Sequence, residues 1–250
     1  MRHCYMKSAK YPDLSHIYTQ CAGPGALKAT EYIADKMNIR PGSRILDIGM
    51  CYGYQTCFLA KEYGAYVIGI DPAGRAWGDH RPFVDHLMDN ASDLGVHDKV
   101  LGVETGLPDS KLPSESFDYI YASTTFEMLR GILDGETYRR CLQEAKRVLK
   151  PGGIMGIGEP MIKHISVPSD MEAHLPTEWR TCFTTIQKTC NDIELAGFSI
   201  LDAGYAEDAQ LWWNEYAMYN RFHSDEAEEK ATIATNDDRW LSYGYVIARK

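Results

Sequence analysis

The chain has 250 residues with 26 basic and 35 acidic side chains, a formal net charge of -9, and 44% hydrophobic against 24% charged residues. That composition suits one globular α/β domain with a real core, and it argues against a nucleic-acid partner, which would need clustered Lys and Arg to neutralise phosphates. No stretch approaches the ~18 consecutive apolar residues of a membrane span, and the amino-terminal "MRHCYMKSAKYPDLSH" contains no apolar leader, so no membrane partner is expected.

In chain order, Gly23-Pro24 opens a helix on which Leu27, Ile33 and Met37 recur at helical spacing, and Pro41-Gly42 closes it. "RILDIG" then reads as a strand, "YQTCFLAKEYG" as a helix ended by Gly64, and "AYVIGID" as a second strand. Residues 80–95 form a helical pattern, "KVLGVE" a third strand and "FDYIYAS" a fourth. Asp134 caps a helix with Tyr138, Leu142, Ala145 and Leu149 on one face; "KPGG" breaks it, and "GIMGIGEP" is the fifth strand. A helix over 178–196 follows, then strands "FSILDAGY" and "WLSYGYVIAR". Between them "SDEAEE" at 224–229 reads as a solvated acidic face. Strands alternating with helices predict a doubly wound sheet with helices on both faces.

In such a sheet the turn after the first strand is the expected ligand site. A dinucleotide loop G-x-G-x-x-G counted from Gly49 would need glycine at 51 and 54, where the chain has Cys51 and Tyr54. A P-loop fails as well, since no Gly-Lys-Ser/Thr follows. The turn instead reads acidic-x-Gly-x-Cys-x-Gly, with Asp47, Gly49 and Gly53.

With "VIGID" ending in Asp71, "SFDYIYAS", and above all "CLQEAKRVLKPGG", the region 42–160 resembles a class I S-adenosylmethionine-dependent methyltransferase of the methyltransferase-11/UbiE-like, small-molecule type. The resemblance implies a Rossmann-like, mostly parallel seven-stranded sheet with an antiparallel last strand. It also implies one domain over 1–250: a small helical cap (1–40), a cofactor core (42–160) and a C-terminal part (161–250) with an aromatic insertion at 205–238. The implied cofactor is S-adenosyl-L-methionine. Asp71 and Pro72 would face its ribose, and Asp47, Gly49, Met50, Cys51 and Gly53 its amino-acid portion. Glu104 and Thr105 would lie near adenine, with Ser123 and Thr124 bordering the methionyl group. Cys51 departs from the pattern; a negative φ is expected there, because a positive one would strain a cysteine by ~1 kcal/mol or more. The reaction implied is direct displacement, yielding S-adenosyl-L-homocysteine.

The acceptor should be read from segments added to the common core. These are the first 20 residues, with Tyr5, Tyr11, His16 and Tyr18; the loop 159–179, with His174, Glu178 and Trp179; and the connection 205–222. In the last, Trp212, Tyr216 and Tyr219 share one helical face with Trp213 beside it, either packed on the domain or a second subunit of a homodimer, or closed over a substrate. Aromatic faces near Glu159 or Glu178 would suit a cationic amine. The expected acceptor is therefore a small molecule, with an amine nitrogen ahead of oxygen or sulfur. Glu159, directly after the fifth strand, leads the candidate bases, followed by His174, then His16 and Tyr18. Seven cysteines without a CxxC pair read as reduced thiols of a cytoplasmic protein, with no metal site. Two alternatives stay open: thiol or metalloid methylation using cysteines, Cys51 among them, and a catalytically silent binding domain.

Overall fold

The computed structural model describes residues 3–76, 79–220 and 226–250. After a short 3-10 turn, Ser8–Lys10, come helices α1 (Leu14–Gln20) and α2 (Ala26–Met37), then strand β1 (Arg44–Ile48), α3 (Tyr54–Tyr63), β2 (Tyr66–Asp71), α4 (Phe83–Leu94) and β3 (Val100–Glu104). Strand β4 (Phe117–Ser123) leads into α5 (Phe126–Ile132) and α6 (Gly135–Val148), and β5 (Leu149–Ile162) into α7 (Thr177–Cys182) and α8 (Ile186–Leu195). The chain ends with β6 (Ser199–Tyr205), α9 (Ala209–Tyr219), α10 (Glu226–Asn236) and β7 (Leu241–Arg249).

The seven strands form one sheet in the order β3-β2-β1-β4-β5-β7-β6. Strands β1 to β5 pair in parallel, and β7 runs antiparallel to both β5 and β6. Alternating side chains feed opposite cores: Ile45 and Tyr121 join the cluster beneath α2 and α3, while Leu46 and Ile120 join the one beneath α6 and α8. The order reverses between β1 and β4, so their carboxyl ends open the crevice where ligands bind in sheets of this kind. Register puts Asp71 directly opposite Glu104 at the ends of β2 and β3.

Several elements differ from the sequence expectation, each for a local reason. The helix expected over 178–196 is two helices, because Phe183 and Thr185 are extended and Thr185 caps α8 by accepting from Lys188 N. That break turns Trp179, Cys182 and Phe183 inward. Strand β5 already begins at Leu149, where α6 stops, and takes in the Lys-Pro-Gly-Gly turn. Helix α5 is an extra turn between β4 and the α6 helix that Asp134 caps, its Oδ1 accepting from Glu136 N and Thr137 N at 3.0 Å each.

The aromatic connection folds into α9 and α10, and its rings turn into the molecule. Trp212 meets Tyr243 at 5.3 Å, Tyr32 at 5.8 Å and Tyr5 at 6.1 Å, edge to face, tying the amino-terminal segment to the last strand. Tyr219 stacks on Tyr18. Arg221 and Phe222 at the end of that segment, and Ser224 and Asp225 of the acidic run, lie outside the described residues. Glu229 of the same run is 5% exposed, so it is not part of a solvated face.

Candidate active site

The turn after β1 is built to aim main-chain N–H groups at β2. Gly49 N and Met50 N both donate to Ile70 O, at 2.8 and 3.1 Å, and Gly53 N closes the turn on Met50 O at 2.8 Å. Gly53 starts α3 at φ +75, with Leu87 so near that a Cβ would lie 2.6 Å from it; both the backbone and the space demand glycine. Cys51 lies at φ +50, not at the negative φ expected. What holds it there is Asp71: Cys51 N donates to Asp71 Oδ2 at 3.1 Å and Ala73 N donates to Oδ1 at 2.9 Å. This hydrogen bond to a carboxylate offsets a left-handed strain of about 1–2 kcal/mol.

Asp71 accepts one main-chain bond on each oxygen and keeps a lone pair on each for a vicinal pair of hydroxyls. Its carboxyl is raised above the ordinary range by burial, against which the two N–H groups act. The free acceptor positions of Asp71 thus fit the two hydroxyls of a ribose. Glu104 is exposed across from it, and its carboxylate leans on Gly74. Pro72 packs against Gly106, and Thr105 Oγ1 donates to Ser110 O at 3.0 Å, so these two shape the loops around the crevice. Met50 turns inward, 3% exposed, with its sulfur over Gly69. Ser123 Oγ shares a 2.9 Å hydrogen bond with the Tyr243 hydroxyl. Thr124, at φ +53, packs against the backbone of Gly23, which brings the amino-terminal cap onto the crevice.

Asp47 is buried beneath this turn, where its Oδ2 accepts from Thr56 Oγ1 at 2.6 Å. Burial pushes its carboxyl up to about 7, partly opposed by the Thr56 bond and reinforced by the Asp71 charge. Because folding raises this pKa, the contribution to stability is full below the ordinary aspartate range and is lost as pH rises through about 7. The gap from 3.8 to about 7 corresponds to ~4 kcal/mol. Asp47→Asn keeps an acceptor for Thr56 and cannot ionise, so the variant should gain stability over the wild type by several kcal/mol between pH 5 and 8. Urea titrations across that range check this; parallel curves would contradict it.

Beside Thr124 a cavity of about 230 Å³ opens at the ends of β4 and β5. Its walls carry the rings of Trp179, Phe183, Trp213 and Tyr216 and the carboxylates of Glu127, Glu178 and Glu229, with no Lys, Arg or His among the described lining residues. Trp179 and Trp213 face each other at 5.2 Å, and Trp213 Nε1 donates to Ser242 O at 3.1 Å. Glu159, the leading candidate base, is fully buried behind the cavity, with Arg130 Nη2 donating to its Oε1 at 3.0 Å. Arg130 also donates to Tyr138 Oη, Thr189 Oγ1 and Cys182 O, which locks it in place.

Of the candidate acceptor residues, Glu178, Trp179, Trp213 and Tyr216 line the cavity, and the others do not. Tyr11 donates to Glu62 at 2.9 Å on the outer side of α3, and His16 is exposed against Tyr54. Tyr18 is buried, its hydroxyl accepting from Gly25 N at the start of α2, and Trp212 belongs to the core. His174 is exposed in its loop and meets α10 only through its carbonyl, which accepts from Thr232. Glu127, Glu229 and Phe183 were missed. Glu127 lies just after β4 on an unexpected helix, whereas Glu159, expected directly after the fifth strand, lies within β5, which runs on to Ile162; Phe183 stands at an unexpected break. Burial raises the thiols of Cys21, Cys51, Cys57 and Cys182, for Cys51 with the Asp71 charge added, which disfavours the thiolate that metalloid or nucleophilic chemistry needs.

A doubly wound sheet of this strand order, with an acidic-glycine turn against a β2 aspartate, has the architecture of a class I methyltransferase. Residues 46–157 match the family model described as a methyltransferase domain. Sterol 24-C-methyltransferase ERG6B of Gibberella zeae is 30% identical over 145 residues, 56% of this chain and 34% of that protein. Phosphoethanolamine N-methyltransferase 1 of Zea mays is 26% identical over 185 residues, 73% of this chain and 32% of that one. The chain thus spans about a third of the length of these curated relatives. Among solved structures, the [4+2]-cyclase SpnF superposes with a TM-score of 0.71 at 22% identity, over 98% of this chain and 93% of that one. The matched region, residues 46–157, is similar to a methyltransferase domain, which together with the fold supports a class I S-adenosylmethionine-dependent methyltransferase. Among the described residues no helix is long and apolar enough to cross a membrane.

Proposed function

We propose that the protein methylates the nitrogen of a small cationic amine, using S-adenosyl-L-methionine. The observation that carries the acceptor class is the composition of the cavity: three carboxylates and four aromatic rings, with no basic side chain among the described residues that line it. An ammonium ion there meets negative charge and ring faces together, while an anionic acceptor meets only repulsion. A volume of about 230 Å³ suits a molecule of a few heavy atoms. The methyltransferase-domain match over residues 46–157 and the Asp71 geometry support the cofactor, as does the relative named a phosphoethanolamine N-methyltransferase. The relative named a sterol methyltransferase and the fold-mate named a cyclase make the cavity, not the fold, the basis for the acceptor.

The cofactor supplies an activated sulfonium methyl group. Everything else falls to the chain. Asp71 anchors the ribose side of the crevice, and Thr124, packed on Gly23, stands where the cavity meets the crevice. Trp179, Phe183 and Trp213 exclude water and fix the nitrogen along one line.

Choline and its uncharged isostere 3,3-dimethylbutan-1-ol test the charge preference directly. Quenching of tryptophan fluorescence should report choline binding at least tenfold tighter than the isostere. Trp179→Leu should cost choline about tenfold, ~1.4 kcal/mol, and leave the isostere nearly unchanged. Equal affinities for the two probes would sink the reading.

A further inference from the structure

Glu127 is fully buried at the wall of the cavity, and among the described residues neither carboxylate oxygen has a hydrogen-bond partner beyond the neighbouring Glu159 carboxyl. A buried, unpartnered carboxylate is costly, and native structures rarely leave one without a reason. Its surroundings explain which state it adopts. Glu159 of β5 lies beside it and holds Arg130, whose two Nη groups donate to four acceptors and whose Nε–H has no partner among the described residues, so no donor of that guanidinium bonds Glu127. Cys182 of α7 and the hydroxyls of Tyr216 and Tyr243 face it from the other elements; Glu178 and Glu229 line the same cavity. Two carboxylates for one guanidinium leave one proton to be held, and it falls to the carboxylate without the ion pair.

We infer that Glu127 is the group that exchanges a proton with the acceptor: it is protonated in the empty cavity, ionises when an ammonium ion enters, and takes the proton of the acceptor nitrogen before methyl transfer. This rests on the cationic-amine reading above. With R–NH3+ facing the Glu127 carboxylate, one N–H bond breaks, the proton passes to a Glu127 oxygen and the electron pair stays on nitrogen. That pair forms the N–CH3 bond as the C–S bond breaks, whose electrons remain on sulfur. The products are the methylated ammonium ion and S-adenosylhomocysteine, with Glu127 protonated as in the empty cavity. Burial, with the Glu159 charge adding to it, pushes the Glu127 carboxyl well above the usual range, which brings its proton affinity closer to that of an amine. Glu159 and Arg130 are positioning residues: the first keeps the proton on Glu127, the second keeps Glu159 in place.

Infrared difference spectra of the full chain against Glu127→Gln at pH 7 test the first part. A carboxylic-acid C=O band present in the wild type and lost in the variant is expected; its absence from the wild type overturns the inference. In Glu159→Gln the band should also vanish, because Glu127 then ionises as the partner of Arg130; a purely structural Glu127 would show no such response. Should Glu127→Gln fail to fold, the pH titration of the band in Asp47→Asn, which removes the other raised carboxyl, serves instead, and a band already gone by about pH 6 overturns the inference.

Choline tests the second part. Binding measured by calorimetry in buffers of different ionisation enthalpy should release about one proton per choline in the wild type and none in Glu127→Gln. Binding without proton release overturns the present inference and leaves the cationic cavity standing. A cavity that retains the band but takes no choline removes the cationic-amine reading, and the exchange role with it.

Discussion

Asp71→Ala should weaken S-adenosylhomocysteine binding by about a hundredfold. Hydrogen bonds to a charged acceptor contribute about 1.5–3 kcal/mol each, and two ribose hydroxyls can share this carboxylate, so ~3 kcal/mol is the expected loss. The same carboxylate holds Cys51 N and Ala73 N, so the loop loses its anchor together with the ligand contact. Asp71→Asn separates the two: its amide can accept on one side only, and its NH2 would face a main-chain N–H on the other. That variant should fall between the wild type and alanine. A second consequence runs through Asp47, whose carboxyl the Asp71 charge helps to raise. With Asp71 removed, Asp47 should titrate below about 7, and the pH at which unliganded stability falls should move down with it. Calorimetric titrations and urea curves on the same preparations check both.

Trp212→Ala should cost about 3–5 kcal/mol of stability, the range for truncating a fully buried large aromatic side chain. The ring joins three parts of the chain that are distant in sequence: Tyr5 in the amino-terminal segment, Tyr32 and the Gly25 backbone of α2, and Tyr243 of β7. Nothing nearby can collapse into the space without pulling the cap off the sheet. At this chain length the loss corresponds to roughly 10 °C in Tm. Tyr219→Ala, removing a partly exposed ring stacked on Tyr18, should cost under about 1.5 kcal/mol. Scanning calorimetry of the pair distinguishes a core role for the Trp212 face from a substrate lid; a lid would leave Trp212→Ala nearly as stable as the wild type.

How much of this was legible in the sequence follows from how local the signals are. Strands β1 to β5 announce themselves by apolar runs bounded by glycine turns, and Asp47, Gly49, Gly53 and Asp71 are recognisable because the first turn repeats a local pattern. The sign of φ at Cys51 is not local. It is set by Asp71, twenty residues away, which rewards the left-handed conformation with a hydrogen bond. The cavity is less local still. Trp179 and Trp213 come from different helices 34 residues apart, and the α7–α8 break that turns Phe183 inward hangs on one capping threonine. Glu229 sits in a run of acids that looks solvated until its own helix, α10, packs against α9. The aromatic stripe at helical spacing was visible; which rings line the cavity and which fill the core is decided by neighbours that the spacing cannot specify.

Methyl transfer itself is the most direct test of the central claim. With methyl-labelled S-adenosylmethionine, the protein should release S-adenosylhomocysteine and label a small amine from a panel of primary, secondary and tertiary amines. Matched alcohols, thiols and carbon nucleophiles should stay unlabelled. Label appearing on a carbon, oxygen or sulfur acceptor while every amine stays unlabelled would contradict the account.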